Sequence, residues 1–336
     1  MQNIKKVIKG KTKIPVERIK KLVGIIIIIA AIVLLISPEF VNRNTRSEAQ
    51  RIRVSLAASS ASSDEPTGIS GNTHLKNELQ EIANGFKEDK ERDPKLQAVI
   101  KYNESLRHGQ QKDKLEFSVK CDVWDETEVF GTIQIPSISV DMPLYIGSSD
   151  ENLAAGAAVL EGTSLPIGGE STNSVISGHR GWKGAAYFKE IESVAWGDEI
   201  IITNPWETLI YYVMDVAVIE PTGMEPLLIR EGQDMITLVT CHPYRSPRNM
   251  RYVVYAVREE EPVESSASST ILNNSRESKE GADRYMKEKA VLLSSYGSSS
   301  KEIQMEEGIR RGSAVCCILI LLVPLGRYLY RACGKK

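Results

Sequence analysis

Cys241 ends the apolar, β-branched run ITLVTC, and Arg251 opens a second such run, RYVVYAV, ten residues later. A thiol nucleophile needs a base to deprotonate it or a cation to hold the thiolate, and positive charge where the oxyanion forms. The chain has four histidines. His74 and His108 lie in a helical region, where a solvated surface position accounts for them. His242 follows Cys241 directly, so in a continuing strand the two side chains point to opposite faces. That leaves His179, in NSVISGHRG, at the end of a short strand and flanked by Gly178 and Gly181, where a loop at a sheet rim could aim it. Arg251 starts a strand and is therefore the best-placed cation, whereas Arg245 and Arg248 fall in the connecting loop and suit solvent. Taken singly, each has a plainer reading: Cys241 as a buried small hydrophobe, His179 as a surface or structural loop residue. Together they describe a candidate thiol acyl-transfer enzyme with no substrate attached.

The elements that must position these residues are strands. From 129 to 258 the chain reads FGTIQIPSISVDMPLYIG, NSVISGHRG, GDEIIITNPWETLIYYVMDVAVIEP, MITLVTC and RYVVYAV, β-branched, often alternating, and punctuated by Gly, Pro, Asn and Asp. Seven or eight strands over this length predict a mainly β fold, a closed barrel with short helices at Glu151–Ala158 and around Ala185–Ile191. Before it, Leu75, Leu79, Ile82, Ala83 and Phe86, then Leu96, Val99, Ile100 and Leu106, recur at helical spacing, so 73–128 is expected to be an N-terminal helical region broken near Asp93-Pro94.

The ends read as membrane segments. Residues 1–21 form a basic tail and 22–38 an apolar run, LVGIIIIIAAIVLLI with its flank; a signal peptide competes, but SPEFVNRNTR offers no small-x-small cleavage pattern. A second candidate span, 313–330, contains Pro324 and Arg327, and 331–336 are a short basic tail. Basic residues beyond both spans place both termini in the cytoplasm and everything between outside. Residues 39–72, rich in Ser and Ala, are expected to be a flexible tether, and 259–312, charged and Ser-rich, a second polar tether with some helix around 284–295.

Of five cysteines, Cys316, Cys317 and Cys333 lie in or beside the second span, leaving Cys121 and Cys241 outside. One possible pair is a poor disulfide framework for a domain this size, and Cys121 is expected to be a shielded spare thiol. A net charge of −2 gives no argument for nucleic acid. No His/Cys/carboxylate cluster has ligand spacing, and Asp122, Asp125, Glu126 and Glu128 suit a solvated charge run, so neither metal nor cofactor is expected.

TLVTC with its downstream arginine, SGHRG, the first-strand pattern GTIQIPSISVDMPLYIG and the connector LEGTSLPIGG occur in this order, and the sequence resembles the sortases, among them the pilin-polymerising class C. The resemblance covers roughly residues 95–258, about half the chain, and makes 129–258 a sortase-type β-barrel. It implies Cys241 as nucleophile, His179 as proton donor and acceptor, and Arg251 as stabiliser of substrate and oxyanion. It also implies a membrane-anchored enzyme of a Gram-positive bacterium with its catalytic domain outside the cell. The implied partners are exported proteins with a Leu-Pro-x-Thr-Gly-like C-terminal signal, cut between Thr and Gly and passed to an amine, in class C a pilin lysine. A housekeeping sortase joining proteins to cell-wall peptide would use the same three residues, and a non-catalytic, membrane-tethered binding barrel would use none of them. One feature departs from class C: no Asp-Pro-aromatic lid motif precedes the barrel. Asp122-Val123-Trp124 is the nearest substitute and lacks the proline.

Overall fold

The computed structural model describes residues 41–58, 93–110, 122–182, 184–224 and 227–258, with scattered helical residues at 24, 26 and between 281 and 316. The chain divides into one unit of Met1–Phe40 with Gln304–Lys336 and a second of Val41–Ile303, which holds everything discussed below. Among the described residues no helix is long and apolar enough to cross a membrane. The expected spans at 22–38 and 313–330 lie almost wholly outside the described residues, as do His74 and Cys121.

Eight strands close into a barrel: β1 (Val129–Ile135), β2 (Val140–Ile146), β3 (Ala157–Val159), β4 (Thr172–Ser177), β5 (Glu199–Thr203), β6 (Thr208–Ile219), β7 (Asp234–His242) and β8 (Met250–Val257). Around the barrel they run β1-β2-β3-β4-β7-β8-β6-β5. β7 is parallel to β4 on one side and antiparallel to β8 on the other. Closure leaves no open sheet edge.

Alternation sets the inward face. Ile236 and Leu238 of β7 and Tyr252, Val254 and Ala256 of β8 join the main core with Phe130, Ile133, Ile176 and Ile202. Their neighbours point outward, yet Val175, Met235, Val239, Val253 and Tyr255 are also buried, because Ile219 at the end of β6 and Met224 and Leu227 of the β6–β7 connection cover them. This explains why β7 and β8 read as near-continuous apolar runs. Asn173 fastens the cover: its amide donates to the carbonyls of Leu227 and Leu228, each at 3.0 Å, and its Oδ1 accepts from Thr237 at 2.8 Å.

The helix after Asp93 runs Pro94–Gln110. Asp93 Oδ1 accepts from the Lys95 amide at 2.8 Å and proline takes the first position, so the expected break is a helix start. The helix expected before Asp93 lies outside the described residues. The expected helix at Glu151–Ala158 is present as Asp150–Ala155, ended by Gly156.

Two expectations are corrected. Residues 41–58, assigned to the tether over 39–72, are helical. Ala49 is buried and Val41, Thr45, Ile52 and Leu56 half-buried, a thin stripe at helical spacing that a count of large apolar residues misses. Polar anchors complete the docking: Arg53 pairs with both Asp141 oxygens at 2.6 and 2.9 Å, Arg46 donates to the Ser139 carbonyl at 2.9 Å, and the Ala186 amide donates to Asn42 Oδ1 at 2.9 Å. Around Ala185–Ile191 the chain forms turns and a short 3-10 segment, Ile191–Ser193, instead of a helix. That stretch is held by tight i to i+3 bonds, such as Lys189 N to Ala186 O at 2.8 Å.

Candidate active site

Cys241 is the penultimate residue of β7 and lies directly opposite Arg251, the second residue of β8. Cross-strand partners share a face, so thiol and guanidinium project from the same side of the sheet. On the other flank β4 pairs Ser177 with Val239. The pairing continues past the strand end: the Gly178 amide donates to the Val239 carbonyl at 3.2 Å, and Thr240 Oγ1 donates to the Gly178 carbonyl at 2.7 Å. His179 follows two residues after the last paired position of β4, and Cys241 two residues after Val239 on β7. All three predicted site residues thus meet at one rim, and all three are partly exposed.

Sequence and packing aim the His179 loop. A Cβ on Gly178 would stand 2.7 Å from two ring carbons of buried Phe188, so this close approach requires glycine. Gly181 turns the chain at φ +80. Trp182 and Ala185 then exchange backbone hydrogen bonds at 3.0 and 2.8 Å, and the Trp182 ring stacks on His179 at 4.5 Å with 17° between planes. Tyr187 meets His179 edge-on at 6.2 Å. Burial pushes the His179 pKa below the ordinary imidazole value; the Arg248 charge acts in the same sense and Asp150 opposes it.

Arg251 Nη1 donates to the Met250 carbonyl at 3.0 Å and to that of Arg248 at 3.4 Å, which ties its guanidinium to the β7–β8 loop. Arg245 and Arg248 are exposed, as expected, yet Arg248 is close enough for its charge to act on His179. His108 is exposed on its helix.

His242 faces the opposite way from Cys241, as strand alternation requires, and is only 1% exposed. It belongs to a buried polar group that sequence reasoning missed: Arg180 and Glu192 inside the barrel mouth. Arg180 Nη2 lies 2.6 Å from Glu192 Oε1, and His242 Nδ1 lies 3.2 Å from the same oxygen. Alternation was the available signal for Arg180, because the residue after an outward His179 turns inward.

Trp124, of the candidate lid, is buried against Phe130 at 5.0 Å and Trp206 at 6.1 Å between ring centroids. Trp206 is in the β5–β6 turn, at the barrel end away from Cys241, so Asp122-Val123-Trp124 does not occupy this rim. A cavity of about 400 Å³ also lies at that far end, between Leu96, Ile100 and Arg107 of the Pro94–Gln110 helix and the segment from Ile167 to Thr172.

Residues 133–259 match the family described as Sortase domain. The barrel is a sortase domain. Among curated proteins, Sortase A of Bacillus anthracis is 32% identical over 130 residues, covering 39% of this chain and 60% of that protein. Sortase A of Streptococcus agalactiae is 25% identical over 147 residues, covering 43% and 58%. The chain thus spans about three-fifths of the length of these relatives. Among solved structures, a lid mutant of Streptococcus agalactiae sortase C1 is 34% identical with a TM-score of 0.47, covering 49% of this chain and 87% of that one. Sortase C from Clostridium perfringens SM101 is 32% identical with a TM-score of 0.44, covering 55% and 99%.

Proposed function

We propose that this sortase domain is a cysteine transpeptidase that cleaves a Leu-Pro-x-Thr-Gly-like sorting signal between Thr and Gly and transfers the acyl group to an amine, with a pilin lysine as acceptor. The observation that supports this chemistry is the pairing of Cys241 with Arg251 across β7 and β8, with His179 two residues beyond the end of the flanking strand β4. The pilin acceptor rests on the sequence resemblance to class C.

In this reading Cys241 Sγ attacks the threonine carbonyl carbon. A neutral His179, favoured by its burial, takes the thiol proton and returns it to the glycine nitrogen as the C–N bond breaks. Arg251 stabilises the oxyanion. An incoming amine then attacks the thioester and releases the thiol. We further propose that the spans at 22–38 and 313–330 hold the enzyme at the membrane of a Gram-positive cell, with the barrel outside.

Intact mass spectrometry of the full chain incubated with a Leu-Pro-x-Thr-Gly peptide, beside Cys241→Ala, tests the reading. A mass increase equal to the acyl fragment on the parent alone is expected. An unmodified parent whose thiol is inert towards alkylation would leave a binding barrel. Release of the adduct by lysine-bearing pilin peptides, in preference to wall-peptide amines, distinguishes pilus assembly from wall attachment.

A further inference from the structure

At the rim each outward site residue is followed by an inward one: His179 by Arg180, Cys241 by His242, Arg251 by Tyr252. These three inward residues touch each other. Arg180 Nη1 lies 3.2 Å from His242 Nδ1 and 3.5 Å from the Cys241 carbonyl oxygen. The Arg180 guanidinium lies over the Tyr252 ring at 5.6 Å, and the rings of His242 and Tyr252 are 5.7 Å apart. Glu192, on the 3-10 turn, closes the group through its contacts with Arg180 and His242. The Arg180 side chain is fully buried and the Glu192 side chain 14% exposed.

An ion pair taken out of water holds its geometry only if its hydrogen bonds are met, and removing one partner strands the other. The imidazole touches both members of the pair: Nδ1 lies 3.2 Å from Arg180 Nη1 and 3.2 Å from Glu192 Oε1, and in either tautomer it bonds one of the two, which ties the ring's orientation to the pair. The remaining ring nitrogen, Nε2, is buried without a hydrogen-bond partner among the described residues, and so are Arg180 Nε and Nη2, the latter meeting Glu192 as an ion pair and not as an aligned hydrogen bond. Keeping such a costly group beneath the nucleophile, where apolar residues fill the rest of the barrel, calls for a return other than stability.

We propose that Glu192, with Arg180 and His242, positions the Cys241–His179 pair. The cluster bolts together the three chain segments that carry the site residues, acting from inside the barrel while catalysis proceeds outside. The catalytic part of this inference rests on the transpeptidase reading; the positioning part is tested on the thiol alone.

The test compares the full chain with Glu192→Gln, of equal size and no charge, and with Arg180→Met/Glu192→Leu, which removes both charges. Three quantities are read: thermal midpoint, iodoacetamide alkylation of Cys241 followed by peptide mapping, and kcat and KM on the sorting peptide. Positioning predicts that Glu192→Gln slows alkylation by at least about 10-fold and lowers kcat by about 100-fold, with KM little changed. It predicts that the double variant regains the thermal midpoint and leaves both rates low. A double variant with parental stability and parental rates would reduce the cluster to packing and overturn the proposal. So would a Glu192→Gln protein with parental alkylation and turnover. If neither variant folds, His242→Asn, which keeps the Arg180–Glu192 pair, decides: slowed alkylation supports positioning and a parental rate refutes it. A parent that never turns over peptide defeats the transpeptidase reading alone, because alkylation still reports on positioning.

Discussion

Thr240→Val isolates one bond beneath the proposed chemistry. Thr240 is 2% exposed, and its hydroxyl donates to the Gly178 carbonyl at 2.7 Å, joining the residue before Cys241 to the residue before His179. Valine keeps the β-branched shape, so no cavity opens, and the change removes the bond and leaves a buried carbonyl oxygen without that donor. A net hydrogen bond contributes about 0.5–1.5 kcal/mol and an unmet buried acceptor costs about 1–3 kcal/mol, giving an expected loss of about 2 kcal/mol. With a urea dependence of about 2 kcal/mol per M, the unfolding midpoint moves down by about 1 M. Freed of this tie, Gly178 lets His179 drift from Cys241, and a displacement of about 1 Å costs about 100-fold in rate. Urea unfolding and the rate of acyl-adduct formation measure the two effects. Thr240→Ser, which keeps the hydroxyl, should hold the rate while losing only the stability of one buried methyl. The reasoning is refuted if valine leaves both midpoint and rate unchanged, or if serine slows the reaction as much as valine does.

Arg248→Ala should raise the His179 pKa and Asp150→Asn should lower it further, read by NMR titration of the ring. For a histidine whose folded pKa is depressed, the unfolded chain takes up the proton first on acidification. Stability is therefore lost as pH falls through the ordinary imidazole value towards the folded one, and Arg248→Ala should narrow that window. Asp141→Asn breaks the partly exposed pair with Arg53 (side chains 19% and 23% exposed), so amide exchange over 41–58 should quicken by up to about 5-fold, the equivalent of about 1 kcal/mol; unchanged exchange would show that the other anchors suffice. Gly178→Ala forces a methyl against Phe188 and should cost about 1–3 kcal/mol in stability, read from the thermal midpoint. A parental midpoint would show that the ring gives way freely.

Strands and their faces were legible because a two-residue period in β-branched segments is a strong local signal. The same period made His242 unsuitable as the partner of Cys241 before any geometry was known. The 41–58 helix was not legible: its buried stripe contains one alanine and a threonine, and it is held by Arg46, Arg53 and Asn42 to Ser139, Asp141 and Ala186, contacts far apart in sequence. Glu192 was hidden for the same reason. Nothing local distinguishes it from a solvated surface glutamate; only closure of the barrel brings it beneath β4 and β7. Ala185, Phe188 and Ile191 recur at near-helical spacing, but the turn at 187–190 serves to set Phe188 under Gly178.

The register of β7 is specified from both sides. A slip of one residue would exchange Cys241 with His242, putting the thiol into the Arg180–Glu192 ion pair and the imidazole onto the rim. Apolar alternation alone opposes this weakly at the rim, where the outward row is no longer covered: the segment bearing Leu227 and Met224 reaches Val239, while Cys241 lies beyond it. At that point the polar contacts take over. The Arg180–Glu192 pair accommodates an imidazole nitrogen 3.2 Å from each partner, and a thiol, shorter and weaker as donor or acceptor, does not replace that contact. Thr240 adds an independent check, since its hydroxyl meets the Gly178 carbonyl only in the observed register. The buried charges thus impose at the rim the discrimination between faces that hydrophobic burial provides elsewhere in the strand, and they impose it at the residue on which the proposed chemistry depends.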